Sequence, residues 1–195
     1  MKPIMFSDAM VNAIKRFDKT QTRRVIKARH DWCIDTYNGD VWPLYACYVY
    51  ECPETVPVKC PYGQPGDRLW VRETFNPHYF GFRKPGYRAD WTNPDGVEEP
   101  KWSPSIHMPR WASRFTLRVK DVRVERVQDI TEADALAEGI ERHWDDGVWY
   151  YGELNKGHCD PVCAFVKLWD SIYKLRGFGW EKNPWVWVVK FEVVK

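Results

Sequence analysis

Hydrophobic and polar residues alternate most cleanly at the end of the chain, where Trp185, Trp187, Val189, Phe191 and Val193 face one way and Lys190 and Glu192 the other. This period of two predicts a strand, with Val186 and Val188 adding apolar residues to its second face. A similar alternation runs from Arg114 to Val127, through Phe115, Leu117 and Val119 and then Val122 and Val124. Its phase slips near Asp121, which predicts a bulge. Pro65-Gly66-Asp67 marks a turn, and Leu69 and Val71 predict a strand from it through Glu73.

Three stretches carry the helical period instead. Over residues 7 to 18, Ser7 is a plausible N-cap, and Ala9, Met10, Ala13, Ile14 and Phe17 recur on one face. Thr131-Glu132 opens a helix through Glu138, with Gly139 as its stop. Asp160-Pro161 opens another, with Val162, Phe165, Val166, Trp169, Ile172 and Tyr173 on its apolar face. The stretches from about 28 to 65 and from 76 to 104 are rich in Pro, Gly and aromatics with little periodicity, so they are expected to be irregular insertions, the first with one or two short strands. Strands outnumber helices and no regular βαβ alternation appears. The expected architecture is α+β: one domain over residues 1–195, a closed or partly closed mixed β-barrel with a few flanking helices.

Composition changes this picture in one respect. The 195 residues include 12 Trp, 10 Tyr and 9 Phe, so large rings are expected to do much of the burying. A net charge of +2 excludes a molecule that binds nucleic acid by bulk charge, and leaves local clusters such as Arg23-Arg24-Lys27-Arg29. The longest apolar run, Trp185 to Val189, is far shorter than the roughly 20 residues of a membrane helix, so no membrane contact is expected. The amino terminus reads as no secretory signal, which leads to an expected cytoplasmic location and reduced thiols for the six cysteines. Cys47-x4-Cys52 and Cys159-x3-Cys163, with Cys60 and His158, fall within zinc spacing, but no Cys-x-x-Cys knuckle is present. The expectation is therefore no metal and no cofactor. A Gly-rich phosphate loop, a His-Glu-x-x-His motif and a Gly-x-Ser-x-Gly turn are all missing from the sequence.

Candidate chemistry begins directly after the first helix, at Lys19-Thr20-Gln21-Thr22-Arg23-Arg24. In a strand, Thr20, Thr22 and Arg24 share a face, so a hydroxyl and a guanidinium converge on one ligand; the alternative is a solvated basic turn. Arg72 and Glu73 point to opposite faces, and Glu73 is the one expected to line a cleft unless it pairs with a strand arginine. Ser105 to Trp111 sets His107 and Arg110 at the rim, where base stacking and phosphate contact are suited, while Trp111 is expected in the core.

Lys19-Thr-x-Thr22-x-Arg24 after a short helix, Gly66-Asp67 before Leu69 and Val71, and Thr131-Glu-x-x-Ala-x-x-Glu138-Gly139 together resemble the ASCH domains, a branch of the PUA-like fold. The resemblance extends to longer ASCH proteins often carried by phages, at Cys60-Pro61-Tyr62-Gly63, Trp70 to Thr74, Ser105 to Trp111 and Asn183 to Trp187. It implies a small β-barrel with a cleft related to RNA-binding domains. One short branch is an amidohydrolase of N4-acetylcytidine, whose lysine, threonine and glutamate fall by motif position on Lys19, Thr22 and Glu138; other members are linked to ribonuclease activity. The expected partner is RNA or a nucleotide-like small molecule, held also by Arg23, Arg24, Glu73, His107 and Arg110. A non-catalytic reader of a modified base and a protein-binding adaptor are the other readings. The segments 28 to 65 and 74 to 111 have no counterpart of that length in the short branch.

Overall fold

A computed structural model describes residues 1–27, 35–37, 40–42, 44–46, 55–57, 59–78, 84–152 and 160–194. Strand β1 (Lys2–Met5) leads into helix α1 (Asp8–Lys15), and β2 (Gln21–Val25) follows. Two short antiparallel pairs come next, β3 (Asp35–Tyr37) with β4 (Asp40–Trp42) and β5 (Leu44–Ala46) with β6 (Thr55–Pro57). Strand β7 (Arg68–Arg72) is followed by the pair β8 (Phe75–Asn76) and β9 (Gly86–Tyr87). Then come β10 (Thr116–Arg126), α2 (Glu132–Ala137), the hairpin β11 (Arg142–Asp145) and β12 (Val148–Tyr151), α3 (Pro161–Tyr173) and β13 (Trp185–Val193). The protein is thus mixed α and β, organised on one five-stranded sheet of order β1-β7-β10-β13-β2.

Only the β1–β7 pair is parallel; the other three ladders are antiparallel. Among the described residues no ladder joins the two ends of this order, β1 and β2. A side chain bridges them instead: Arg24 of β2 donates from Nη2 to the Met5 carbonyl of β1 at 2.6 Å.

The alternating pattern sorts side chains onto the two faces as the sequence predicts. Ile4, Leu69, Val71, Leu117, Val119, Trp187, Val189 and Phe191 form one buried cluster, closed by Val11 and Ile14 of α1. Val186 and Val188 point the other way and pack under Ala135 of α2 and Ala164, Phe165 and Trp169 of α3. Strand β13 is therefore buried on both faces, which is why it reads as an almost unbroken apolar run. The expected bulge is present, as a register shift between Val119 and Asp121 in the β10–β13 ladder.

Helix boundaries follow their caps. Ser7 Oγ accepts from Met10 N, Thr131 Oγ1 from Asp134 N at 3.1 Å, and Asp160 Oδ1 from Val162 N at 2.6 Å. Helix α1 is shorter than the predicted 7–18: Phe17 takes a φ of 64° and stands 75% exposed, so it leaves the apolar face assigned to it. Helix α2 stops at Gly139, whose φ of 88° is a left-handed value that a side chain would strain. The segment 76–104, expected as a surface excursion, contains the β8–β9 pairing and a short 3₁₀ turn at Arg88–Asp90. No helix among the described residues is long and apolar enough to cross a membrane.

Candidate functional site

The chain between α1 and β2 is drawn against the end of α2. Lys19 and Glu138 form an isolated antiparallel bridge, and Thr20 N donates to the Ala137 carbonyl at 2.9 Å. The left-handed turn at Gly139 brings the backbone so close that a Cβ there would lie 2.8 Å from Ala13 Cβ and 3.0 Å from Lys19 Cβ. Lys19 is consequently sealed in. Its ammonium donates to the Glu138 carbonyl at 2.6 Å and to Glu138 Oε2 at 3.0 Å, and lies 5.6 Å from the centre of the Phe6 ring.

The other carboxylate oxygen of Glu138 accepts from Arg23 Nη1 at 3.3 Å. Arg23 in turn meets Asp134 at 3.1 Å and Glu125, and Arg123 spans the same two carboxylates, at 3.0 Å and 2.8 Å. Three basic and three acidic side chains thus share one partly dry network between the sheet and α2. Strand register explains the gathering: Arg23 and Arg123 are both paired with Val188, one from each side. They stand in one row on the face that α2 covers. Gln21, on the same side of β2, accepts from Arg123 at 3.3 Å.

Burial decides the proton affinities here. Removal from water pushes Lys19 below its ordinary value, outweighing the attraction of Glu138, and the nearby Arg24 and Arg23 push the same way. For Asp134 burial pushes upward, but Arg23, Gln21 and Arg123 outweigh it and hold the carboxyl below its ordinary value.

Glu138 is also the member of this network that lines a cavity. A cavity of about 330 Å³ lies over it, walled by Met10, Gly139, Ile140, Lys167 and Leu168. That volume is at the lower end of the range that small-molecule pockets occupy.

The remaining expected site residues divide into separate groups. Thr22 is 1% exposed and sits on the opposite face of β2 from Arg23, paired with Val189; among the described residues no hydrogen bond joins its hydroxyl to Lys19 or Glu138. Arg24 lies over the Phe6 ring at 5.3 Å, which that ring shares with Lys19. Glu73 is fully buried elsewhere, gripped by Arg114 through two bonds of 2.8 and 2.7 Å, so the ion pair weighed as its alternative is the one observed. Burial raises its carboxyl above the ordinary value while Arg114 opposes it. Asp90 ties Arg114 to Lys15 of α1 in the same group. His107 is exposed, and Arg110 packs 5.8 Å from the Trp70 ring and donates to Thr116 Oγ1 at 3.4 Å. Trp111 corrects the sequence reading: it is 67% exposed, and Met108, which accepts from Glu73 N through its sulfur, is the residue of that segment in the core. The solvated-turn alternative fails for Lys19, Thr22 and Arg23, which are buried.

Four participants were missed by sequence reasoning: Gln21, Arg123, Glu125 and Asp134. Arg123 and Glu125 occupy alternate positions of β10 that read as its solvent face, and only the placement of α2 covers them. Of the zinc-spaced residues, Cys47, Cys52, His158 and Cys159 lie outside the described residues, as does Arg29 of the basic cluster. Cys60 and Cys163 are free thiols, and among the described residues no group of three or more His, Cys, Asp or Glu is arranged to hold a metal. Comparison with protein-family models, curated proteins and solved structures gives no match.

Proposed function

We propose that the chain is an ASCH-type protein of the PUA-like barrel class, and that the cavity over Glu138 takes a nucleoside or the base of an RNA end, whose acyl group it hydrolyses. One observation carries this reading: a lysine with 1% exposure, its proton affinity lowered by burial, is locked to a glutamate that lines a ligand-sized cavity. Proton affinities tuned in this way cluster at reactive sites.

The chemistry runs from the two bonds of Lys19. Two N–H groups of Lys19 fix the carbonyl and one carboxylate oxygen of Glu138, and so hold that carboxylate at the cavity wall. In the proposed reaction a water in the cavity bonds to the acyl carbon as the Glu138 carboxylate takes its proton. The proton passes to the exocyclic amine as the carbon–nitrogen bond breaks, which releases the acid and the free nucleoside. Incubation with N4-acetylcytidine, other acylated nucleosides and labelled RNA tests this. Free product is expected, and its loss in Lys19→Ala with an unchanged circular dichroism spectrum.

A second reading has its own support. Both carboxylate oxygens of Glu138 are occupied and the Lys19 side chain has no exposed surface, as in a site that recognises without reacting. Nucleoside binding with no turnover of any of these compounds would favour such a reader.

A further inference from the structure

The loop of the β11–β12 hairpin, Asp146-Gly147, takes φ values of 43° and 82°, the left-handed pair that suits a two-residue turn between twisted strands. Such a loop makes Asp145–Val148 a hydrogen-bonded pair. Bonded pairs then alternate down the ladder through His143–Tyr150 to the base, where Gly152 N donates to the Glu141 carbonyl at 2.9 Å. Arg142 and Trp144 fall between them, so their backbone N–H and C=O groups point away from β12. Among the described residues no third strand receives those groups. Strand β11 also has no proline, lysine or bulge, the devices that usually protect an edge. Strand β12 packs toward α3 through Tyr151, whereas β11 borders an open groove of about 760 Å³ that Phe17 also lines. No other described segment of this length exposes as many large apolar side chains. Trp144 is 60% and Trp149 43% exposed, their rings 5.1 Å apart, and Val148 and Tyr150 are exposed beside them. A two-stranded ribbon left this bare is marginally stable on its own.

We infer that β11 pairs edge to edge with β11 of a second copy of this chain, antiparallel about a two-fold axis at Trp144, so that the two hairpins form one four-stranded sheet. Charge selects both the occupant and the register. The ribbon is basic at its base, with Arg142 and His143, and acidic at its tip, with Asp145 and Asp146. With Trp144 opposite itself, Arg142 falls opposite the partner's Asp146 and His143 opposite the partner's Asp145. Two-fold symmetry makes each of these contacts twice, and unlike charges directly opposite stabilise a sheet. Moving the axis to His143 would instead set Glu141 against the partner's Asp145, like against like. In the register centred on Trp144, the outward N–H and C=O groups of Arg142 and Trp144 all meet a partner strand. Trp144 and Trp149 of both copies then share one face, because cross-strand partners lie on the same side. The partner's tip ends at Arg142, beside the groove that Phe17 lines. This pairing does not rest on the function proposed for the cavity over Glu138.

The test is sedimentation equilibrium of the full chain, joined to amide hydrogen exchange read residue by residue. The contact is short, so a monomer–dimer equilibrium with a Kd on the order of 10 μM is expected, followed from about 1 to about 200 μM chain. Arg142→Asp sets like charges opposite each other twice and is expected to weaken the dimer about ten-fold or more. Asp146→Asn keeps a residue suited to the left-handed turn while removing the acid, and is expected to weaken it about three-fold. Exchange at the Arg142 and Trp144 amides should slow between the lowest and highest concentrations, while the His143 amide, already bonded within the hairpin, changes less. A chain that stays monomeric throughout would overturn the inference and leave the edge to a different partner. A dimer unaffected by Arg142→Asp, or one whose Arg142 and Trp144 amides exchange equally fast at both concentrations, would overturn it as well.

Discussion

Lys19 is held by two oxygens of a single residue, the carbonyl and the carboxylate of Glu138, across 119 positions of sequence. The partners are unequal. Glu138 keeps Arg23 at 3.3 Å if Lys19 is lost, whereas Lys19 without the carboxylate keeps only a carbonyl dipole. Glu138→Gln is therefore expected to destabilise the fold by about 3 to 5 kcal/mol, the cost of stranding a buried charge. Lys19→Met should cost less than about 3 kcal/mol. Urea unfolding of both variants at neutral pH checks the order, and a larger loss for Lys19→Met would contradict it.

Stability should respond to alkali through the same amine. Its folded proton affinity lies below the ordinary 10.5, so between the folded value and 10.5 the unfolded chain binds more protons at this group. By linkage the contribution of Lys19 then increases as pH rises through that window, and levels off above it. Below the folded value the cost of burying the charged form is present in full. Melting temperatures recorded against pH should show this upward component in the natural protein and lack it in Lys19→Met.

Gly139→Ala probes the backbone that closes the site. The φ of 88° is unfavourable for alanine, and the new methyl would fall 2.8 Å from Ala13 Cβ and 3.0 Å from Lys19 Cβ. A loss of at least about 2 kcal/mol is expected from strain and crowding together. Thermal unfolding provides the number, and a change below about 0.5 kcal/mol would mean that the turn relaxes.

Glu73 and Arg114 offer a control away from the cavity. Arg114→Leu leaves a fully buried carboxylate with no guanidinium, and should cost about 3 to 5 kcal/mol. The double change Glu73→Leu with Arg114→Leu is expected to be milder than Arg114→Leu alone, a coupling that a double-mutant cycle measures. Additive losses would contradict the pairing.

Much of the frame was readable because it depends on local rules. Alternation gave β10 with its bulge and both faces of β13, and the caps Ser7, Thr131 and Asp160 opened their helices. Phe17 departed from its helical face because α1 ends sooner and the chain turns through a left-handed residue. Trp111 was misjudged because a count of aromatic rings says nothing about direction; the flexible Met108 fills the core instead. The motif resemblance aligned Lys19, Thr22 and Glu138, of which Lys19 and Glu138 meet while the Thr22 hydroxyl bonds to neither; no spacing within this chain encodes a contact over 119 positions. Gln21, Arg123, Glu125 and Asp134 stayed hidden because their partners come from strands that the sequence does not order side by side.

The cavity over Glu138 is the centre of the proposed function, and calorimetric titration of N4-acetylcytidine tests it most directly, using the natural protein and Leu168→Trp, which fills the space that Leu168 now walls. Saturable one-to-one binding is expected in the natural protein, and its loss in a Leu168→Trp variant that still folds. Absence of binding to the natural protein, or equal affinity in the filled variant, would contradict a nucleoside site at this position.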